Sequence, residues 1–277
     1  MKQNKVNAPL AEFMDVVGLD EPPMGVFYTD KKPSEGVSPK PQKPISREAE
    51  EKGEVDFEAV IGQFSCVVER IRQARRKNTA AFFDEERFGC MGGAFYLGFL
   101  HPYLNFHPYY ISQGIPGFFE GERYAKSPEV AQKFFDTFDP PPARDKYLVV
   151  KSIELFEEDE VPDVVVFFGR PEVLSGLTAL VAFTTSEVEA VKTPFGPGCS
   201  GFVSWPYRYL REGKQVAVMG GFDPTCRIYL KTDEITFAVP WDLYNRMLSD
   251  WKDSFLNIDP WNQVKKKITK SRKTWKK

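Results

Sequence analysis

The sequence predicts a single mixed α+β domain, a sheet flanked by helices. Three observations carry this: short β-rich apolar runs such as Val164–Phe168, helix-period segments between them, and alternation of the two through the second half. A chain of 277 residues with 42% apolar and 27% charged residues can bury a sizeable core, and that composition excludes wholesale disorder. The longest apolar stretches, Val164–Phe168 and Val173–Phe183, fall well short of the roughly 20 residues of a membrane-spanning helix.

The elements follow in order. Leu10, Phe13, Met14 and Val17 share one helical face, and Gly18 is placed to end that helix. Met24–Tyr28 reads as a strand after two prolines. Residues 30–53, rich in Lys, Pro, Glu and Ser, read as a surface excursion. A helix is expected over much of Asp56–Lys77, then a short strand at Thr79–Phe83. The glycine-laced segment around Cys90 opens another helix. Ser127, Pro128 and Glu129 supply an N-cap, a first-turn proline and a first-turn acid for a helix carrying Phe134 and Phe135. YLVVKSIEL and PDVVVFFG are strands, and the second leads through Gly169–Pro171 into a helix with Leu174, Leu177, Leu180 and Val181 inward. PFGPGC turns into a further helix, QVAVMGGFD is a strand, CRIYLKTDEITFAVP contains strand material, and WDLYNRMLSDW closes as a helix. Residues 1–262 form one domain and residues 263–277 a basic tail.

A weak duplication is visible. Strand, Cys66 with its helix, strand and Cys90 form one series; strand, Cys199 with its helix, strand and Cys226 form another. A competing register aligns the G-C-x-G tetrads at Gly89–Gly92 and Gly198–Gly201. In the first register, two related modules place all four thiols near a pseudo-two-fold axis.

Net charge is −2, but Trp261–Lys277 holds eight basic residues and no acid, leaving about −10 elsewhere. A solvated terminal run is the plainer account of that tail, and the acidic body argues against nucleic acid as the main partner. The first residues, MKQNKVNAPLAEFMDVVG, lack an apolar export core, so the expected location is cytoplasmic and the thiols are expected to stay reduced. No G-x-x-x-x-G-K-[ST] is present. The two histidines, His101 and His107, each precede a proline and read as loop or packing residues, which disfavours a Ser–His–Asp triad and zinc hydrolase chemistry.

The chemistry therefore rests on four cysteines, Cys66, Cys90, Cys199 and Cys226, at the starts of structural elements. Thiolates suit iron–sulfur clusters, zinc or copper(I), although no C-x-x-C spacing marks such a site and unpaired cysteine is often a small core residue. Glycines beside them, Gly92 and Gly198 among these, let backbone amides approach a bound group. A helix start lowers a thiol pKa, which favours ligation or, at Cys90 or Cys199, nucleophilicity. Gly169–Pro171 and Pro194–Cys199 are candidate anion sites at helix starts, and Arg227 either completes such a site or pairs with Asp223.

PPMGVFY, FSCVVERIRQAR, GCMGGAFYLGF, PDVVVFFGRPEVLSGL, PFGPGCSGF and GGFDPTCR followed by TFAVP, in this order, resemble the domain-of-unknown-function family 169 of archaea and bacteria, many of them anaerobes. The resemblance implies recurrent cysteines matching Cys66, Cys90 and Cys199. The position of Cys226 is less uniform in the family, often a small residue before the arginine. The pattern is similar to that of an iron–sulfur protein. The leading expectation is a cytoplasmic protein with a cysteine-ligated metal or iron–sulfur cluster and a redox-linked role toward a redox partner or small substrate. In it Cys226 is the fourth ligand or leaves an open iron. The alternative is a metal-free small-molecule binding protein or enzyme with an aromatic pocket.

Overall fold

In this computed structural model, residues 8–138 and 140–275 are described. Seven strands form one sheet: β1 (Met24–Thr29), β2 (Ala81–Phe83), β5 (Tyr147–Ser152), β6 (Val164–Gly169), β7 (Val191–Lys192), β8 (Ala217–Gly220) and β9 (Ile235–Pro240). Two more, β3 (Gly114–Ile115) and β4 (Phe119–Glu120), make a small hairpin. The first helices are α1 (Ala8–Val17), α2 (Arg47–Glu51), α3 (Phe57–Gly62), α4 (Val67–Lys77), α5 (Met91–Tyr96) and α6 (Phe106–Tyr110). They are followed by α7 (Pro128–Thr137), α8 (Pro171–Thr185), α9 (Ser204–Arg211), α10 (Trp241–Asp250) and α11 (Asp259–Trp275). The α+β expectation is met.

The sheet runs β2-β5-β1-β6-β9-β8-β7, antiparallel except for β7 beside β8. Its register is two-fold symmetric about the β1–β6 contact. Met24 pairs with Val166 while Val26 pairs with Val164. On one side β1 pairs along its whole length with β5, Met24 with Ser152 through Thr29 with Tyr147. On the other β6 does the same with β9, Val164 with Pro240 through Gly169 with Ile235. The next strands repeat it, Ala81–Phe83 against Val150–Leu148 and Val218–Gly220 against Ala238–Thr236. Cys66 lies between β1 and β2 and Cys90 between β2 and β5; Cys199 lies between β6 and β8 and Cys226 between β8 and β9.

Both faces of the sheet are buried, so its central strands read as unbroken apolar runs. Val165, Phe167, Phe237 and Val239 pack beneath α1, α8 and α10, with Trp251, Leu256 and Trp261 closing that layer. Val164, Val166, Ala238 and Val218 face α4, Phe202, Val203 and two of the cysteines, Cys199 and Cys226. A third cluster, built from Phe88, Phe95, Tyr103, Phe106 and Phe135, joins α3, α5, α6 and α7 into a helical cap.

One local expectation is corrected and two are refined. The helix expected over Asp56–Lys77 is two, because the chain breaks after Gly62 so that the Ser65 amide can donate to the Gly89 carbonyl, making Cys66 the N-cap of α4. The excursion at residues 30–53 holds α2, and Val37 bridges to Ala81, so it is tied to the sheet edge. The described part of the basic tail is helical to Trp275, anchored where the Trp261 indole donates to the Val16 carbonyl at 2.9 Å; Lys276 and Lys277 lie outside the described residues. No helix among the described residues is long and apolar enough to cross a membrane.

Candidate functional site: a thiol-lined aromatic cavity

Between the helical cap and the sheet layer lies a cavity of about 370 Å³. Cys66, Cys90 and Cys199 line it, and so do Gly92 and Gly198. Cys226, 1% exposed, lies directly behind Gly198. That glycine is required, since a Cβ there would stand 2.6 Å from the Cys226 sulfur. Four segments spread from residue 66 to residue 226 thus bring the chain's only four cysteines to one place. All are free thiols.

Each cysteine sits at or near the start of its element. Cys90 caps α5, its sulfur accepting from the Gly93 amide at 3.2 Å. Cys66 is the N-cap residue of α4 without a side-chain cap hydrogen bond, and the nearby Glu69 and Val68 amides favour its thiolate. Cys199 and Cys226 sit in 3-10 turns, and the Cys226 thiol donates to the Asp223 carbonyl at 3.2 Å.

The sequence-based expectation of lowered thiol pKa values is reversed. Burial pushes Cys90 and Cys226 up to about 12, raises Cys66, and raises Cys199 well above its ordinary value. Neighbouring charge adds to this: Cys199 feels Cys90, Cys66, Asp223 and Cys226, and Cys66 reaches both Cys90 and Cys226. Desolvation outweighs the one or two amide hydrogen bonds at a helix start. A thiol so raised is a poor nucleophile at neutral pH, and the cysteines gain ionisation only with a compensating positive group. Among the described residues, no three His, Cys, Asp or Glu side chains are grouped so as to hold a single metal ion.

The remaining walls are aromatic and acidic. Tyr96, Phe138 and Trp205 form a stack, with ring centroids 5.6 Å apart for Tyr96–Phe138 and 4.1 Å for Phe138–Trp205. Exposed Phe134 and Phe195 mark the mouth, the latter 5.6 Å from Tyr124. Glu122 stands at the rim. Shielding of its carboxyl, then the charge of Asp223, raises it to about 7, partly offset by a hydrogen bond with Tyr110. Asp223 is 7% exposed and accepts from the Gly198 amide, the Tyr124 hydroxyl, and the Thr225 amide and hydroxyl, all at 2.9–3.1 Å. Neither acid was singled out as a site residue from sequence: Glu122 sits in an ordinary polar stretch, and Asp223 read only as a partner for Arg227.

Arg227 is elsewhere. Its guanidinium donates to the carbonyls of Gly221, Lys231, Thr232 and Glu234, and Asp223 is met instead by neutral donors. The expected anion sites are also met by the chain's own acids. The Gly198 amide donates to Asp223, and the first turn of α8 carries Glu172, paired with Arg170 and Arg272.

His107 lines the cavity but serves the cap. Its Nδ1 accepts from the Leu104 amide, its ring packs on Phe95 and Phe135, and burial lowers its pKa to about 4. The unfolded value is near 6.5, so the unfolded chain takes up a proton first and stability falls as pH drops from about 6.5 toward 4. Glu122 acts with the opposite sign, so the His107→Gln variant isolates the effect. Urea unfolding at pH 6.5 and 5 is expected to lose more stability in the wild type than in that variant, by up to about 1.4 kcal/mol per pH unit. Equal slopes would place His107 in contact with water.

Fold and cavity together define an α+β protein with a two-fold-registered sheet and an aromatic cavity lined by three cysteines, with a fourth behind its wall. Residues 12–250 match the family DUF169, described as Uncharacterised ArCR, COG2043, and the chain belongs to that family. No match is found among curated proteins or among solved structures.

Proposed function

We propose that the protein holds an iron–sulfur cluster through Cys66, Cys90 and Cys199, with Cys226 as the fourth ligand. The carrying observation is that three cysteines from three segments line one cavity and the fourth lies directly behind its wall at Gly198, two from each half of a sheet whose register is two-fold symmetric. That register favours reading the halves as related modules in which Cys66 corresponds to Cys199 and Cys90 to Cys226.

A cluster is proposed because thiolates drawn from separate segments suit one, its ligands being spread over several irons; among the described residues no three His, Cys, Asp or Glu side chains are grouped to hold a single ion. Gly92 and Gly198 leave backbone room on the cavity wall beside Cys90 and Cys226. The raised thiol pKa values fit the same picture, because iron supplies the positive charge that burial withholds. When bound, the cluster would supply one-electron chemistry or a Lewis-acidic iron facing the aromatic pocket. This chain's part is to supply thiolates, exclude water with aromatic rings and present Glu122 and Asp223 to whatever enters. Iron and acid-labile sulfide analysis of protein purified without oxygen tests the proposal.

A further inference from the structure

The cavity carries a second, separable instruction. Among the described residues no Lys or Arg lines it, and burial keeps His107 neutral. Both its charged groups are acids, and every hydrogen-bond donor that meets Asp223 is uncharged. Arg208 stacks over the Phe138 and Trp205 rings from outside the lining and pairs with Glu212 at 3.0 Å. Two acids with no cation facing them among the described residues attract a positive partner, and aromatic faces attract cations. The indole N–H of Trp205 is closed off from the cavity and has no hydrogen-bond partner among the described residues, so it is the ring of Trp205 that is offered to a ligand.

We propose that this cavity binds a flat organic cation, an aromatic or heteroaromatic amine, with its positive nitrogen at Glu122 and Asp223 and its ring against Tyr96, Phe138 and Trp205. A metal ion is the poorer occupant, because the two acids lack a third ligating carboxylate, thiol or imidazole grouped with them among the described residues. The inference does not require the cysteine-bound cluster, although thiolates on iron would deepen the negative field and strengthen cation binding.

The test is calorimetric titration with three probes that share one ring: 2-naphthylmethylamine, 2-naphthylmethanol and 2-naphthoate. It is run on protein as isolated and on protein stripped of metal, with iron measured in both. The ammonium is expected to bind at least about tenfold more tightly than the carboxylate, a difference of about 1.4 kcal/mol. Glu122 is exposed at the rim, so it can be changed without repacking. Glu122→Gln should cut that preference about fivefold and leave the alcohol unaffected, and Glu122→Lys should turn it toward naphthoate. Equal binding of ammonium and carboxylate, or a preference unmoved by both variants, overturns the proposal. Iron content, read on the same samples, decides the cluster separately.

Discussion

Replacing Cys66 and Cys199 together with alanine is expected to give a folded protein that retains no iron above background. Each change deletes one sulfur, at a cost of about 1 kcal/mol in a chain with three further hydrophobic clusters. The expected loss is therefore of the bound group and not of the fold. The pair is chosen because Cys66 precedes β2 and Cys199 precedes β8, one on either side of the β1–β6 contact. Removing both would take one proposed ligand from each half. The measurement is iron per folded chain beside the thermal transition of the metal-free form. An iron content equal to wild type would remove these thiols from the site.

The largest stability effect is expected at Arg75. Its guanidinium donates to Glu234 at 2.7 and 2.9 Å and to Glu21 at 2.9 Å, and it lies 3.9 Å over the Phe168 ring. The Arg75 and Glu234 side chains are only 9% and 5% exposed. Arg75→Met leaves a buried carboxylate with only the more distant Lys231, 3.9 Å away and largely exposed, as cation. The expected loss is about 3–5 kcal/mol, or roughly 10 °C in the melting temperature. The double variant Arg75→Met, Glu234→Met should recover most of it, because two apolar side chains carry no unpaired charge. A single variant that costs less than about 1 kcal/mol would mean that water reaches Glu234.

What the sequence disclosed follows the range of the interactions involved. Val164–Gly169 and the inward face of α8 were legible because their burial is written as local apolar pattern, and α7 because Ser127 and Pro128 announce its start. The break before α4 was hidden. Val60, Ile61, Phe64, Val67, Val68 and Ile71 keep helical spacing straight through it, and the cause lies across space in the Ser65–Gly89 hydrogen bond. The helix α11 was obscured by its run of exposed lysines, while its anchor, Trp261, reaches back to Val16. Of the site, the cysteines were visible as the only four in the chain, each near a helix start. Their low thiolate character was not, because desolvation is a property of the closed cavity. Glu122 and Trp205 carry no local signal at all, and only the packing of the cap on the sheet places them together.

The claim that these four thiols are ligands is tested most directly by purifying the protein without oxygen and measuring iron, acid-labile sulfide and visible absorption. A coloured protein with iron and sulfide bound in comparable amounts, both lost in the Cys66→Ala, Cys199→Ala variant, is the expected result. A colourless, iron-free and fully folded wild type would contradict it.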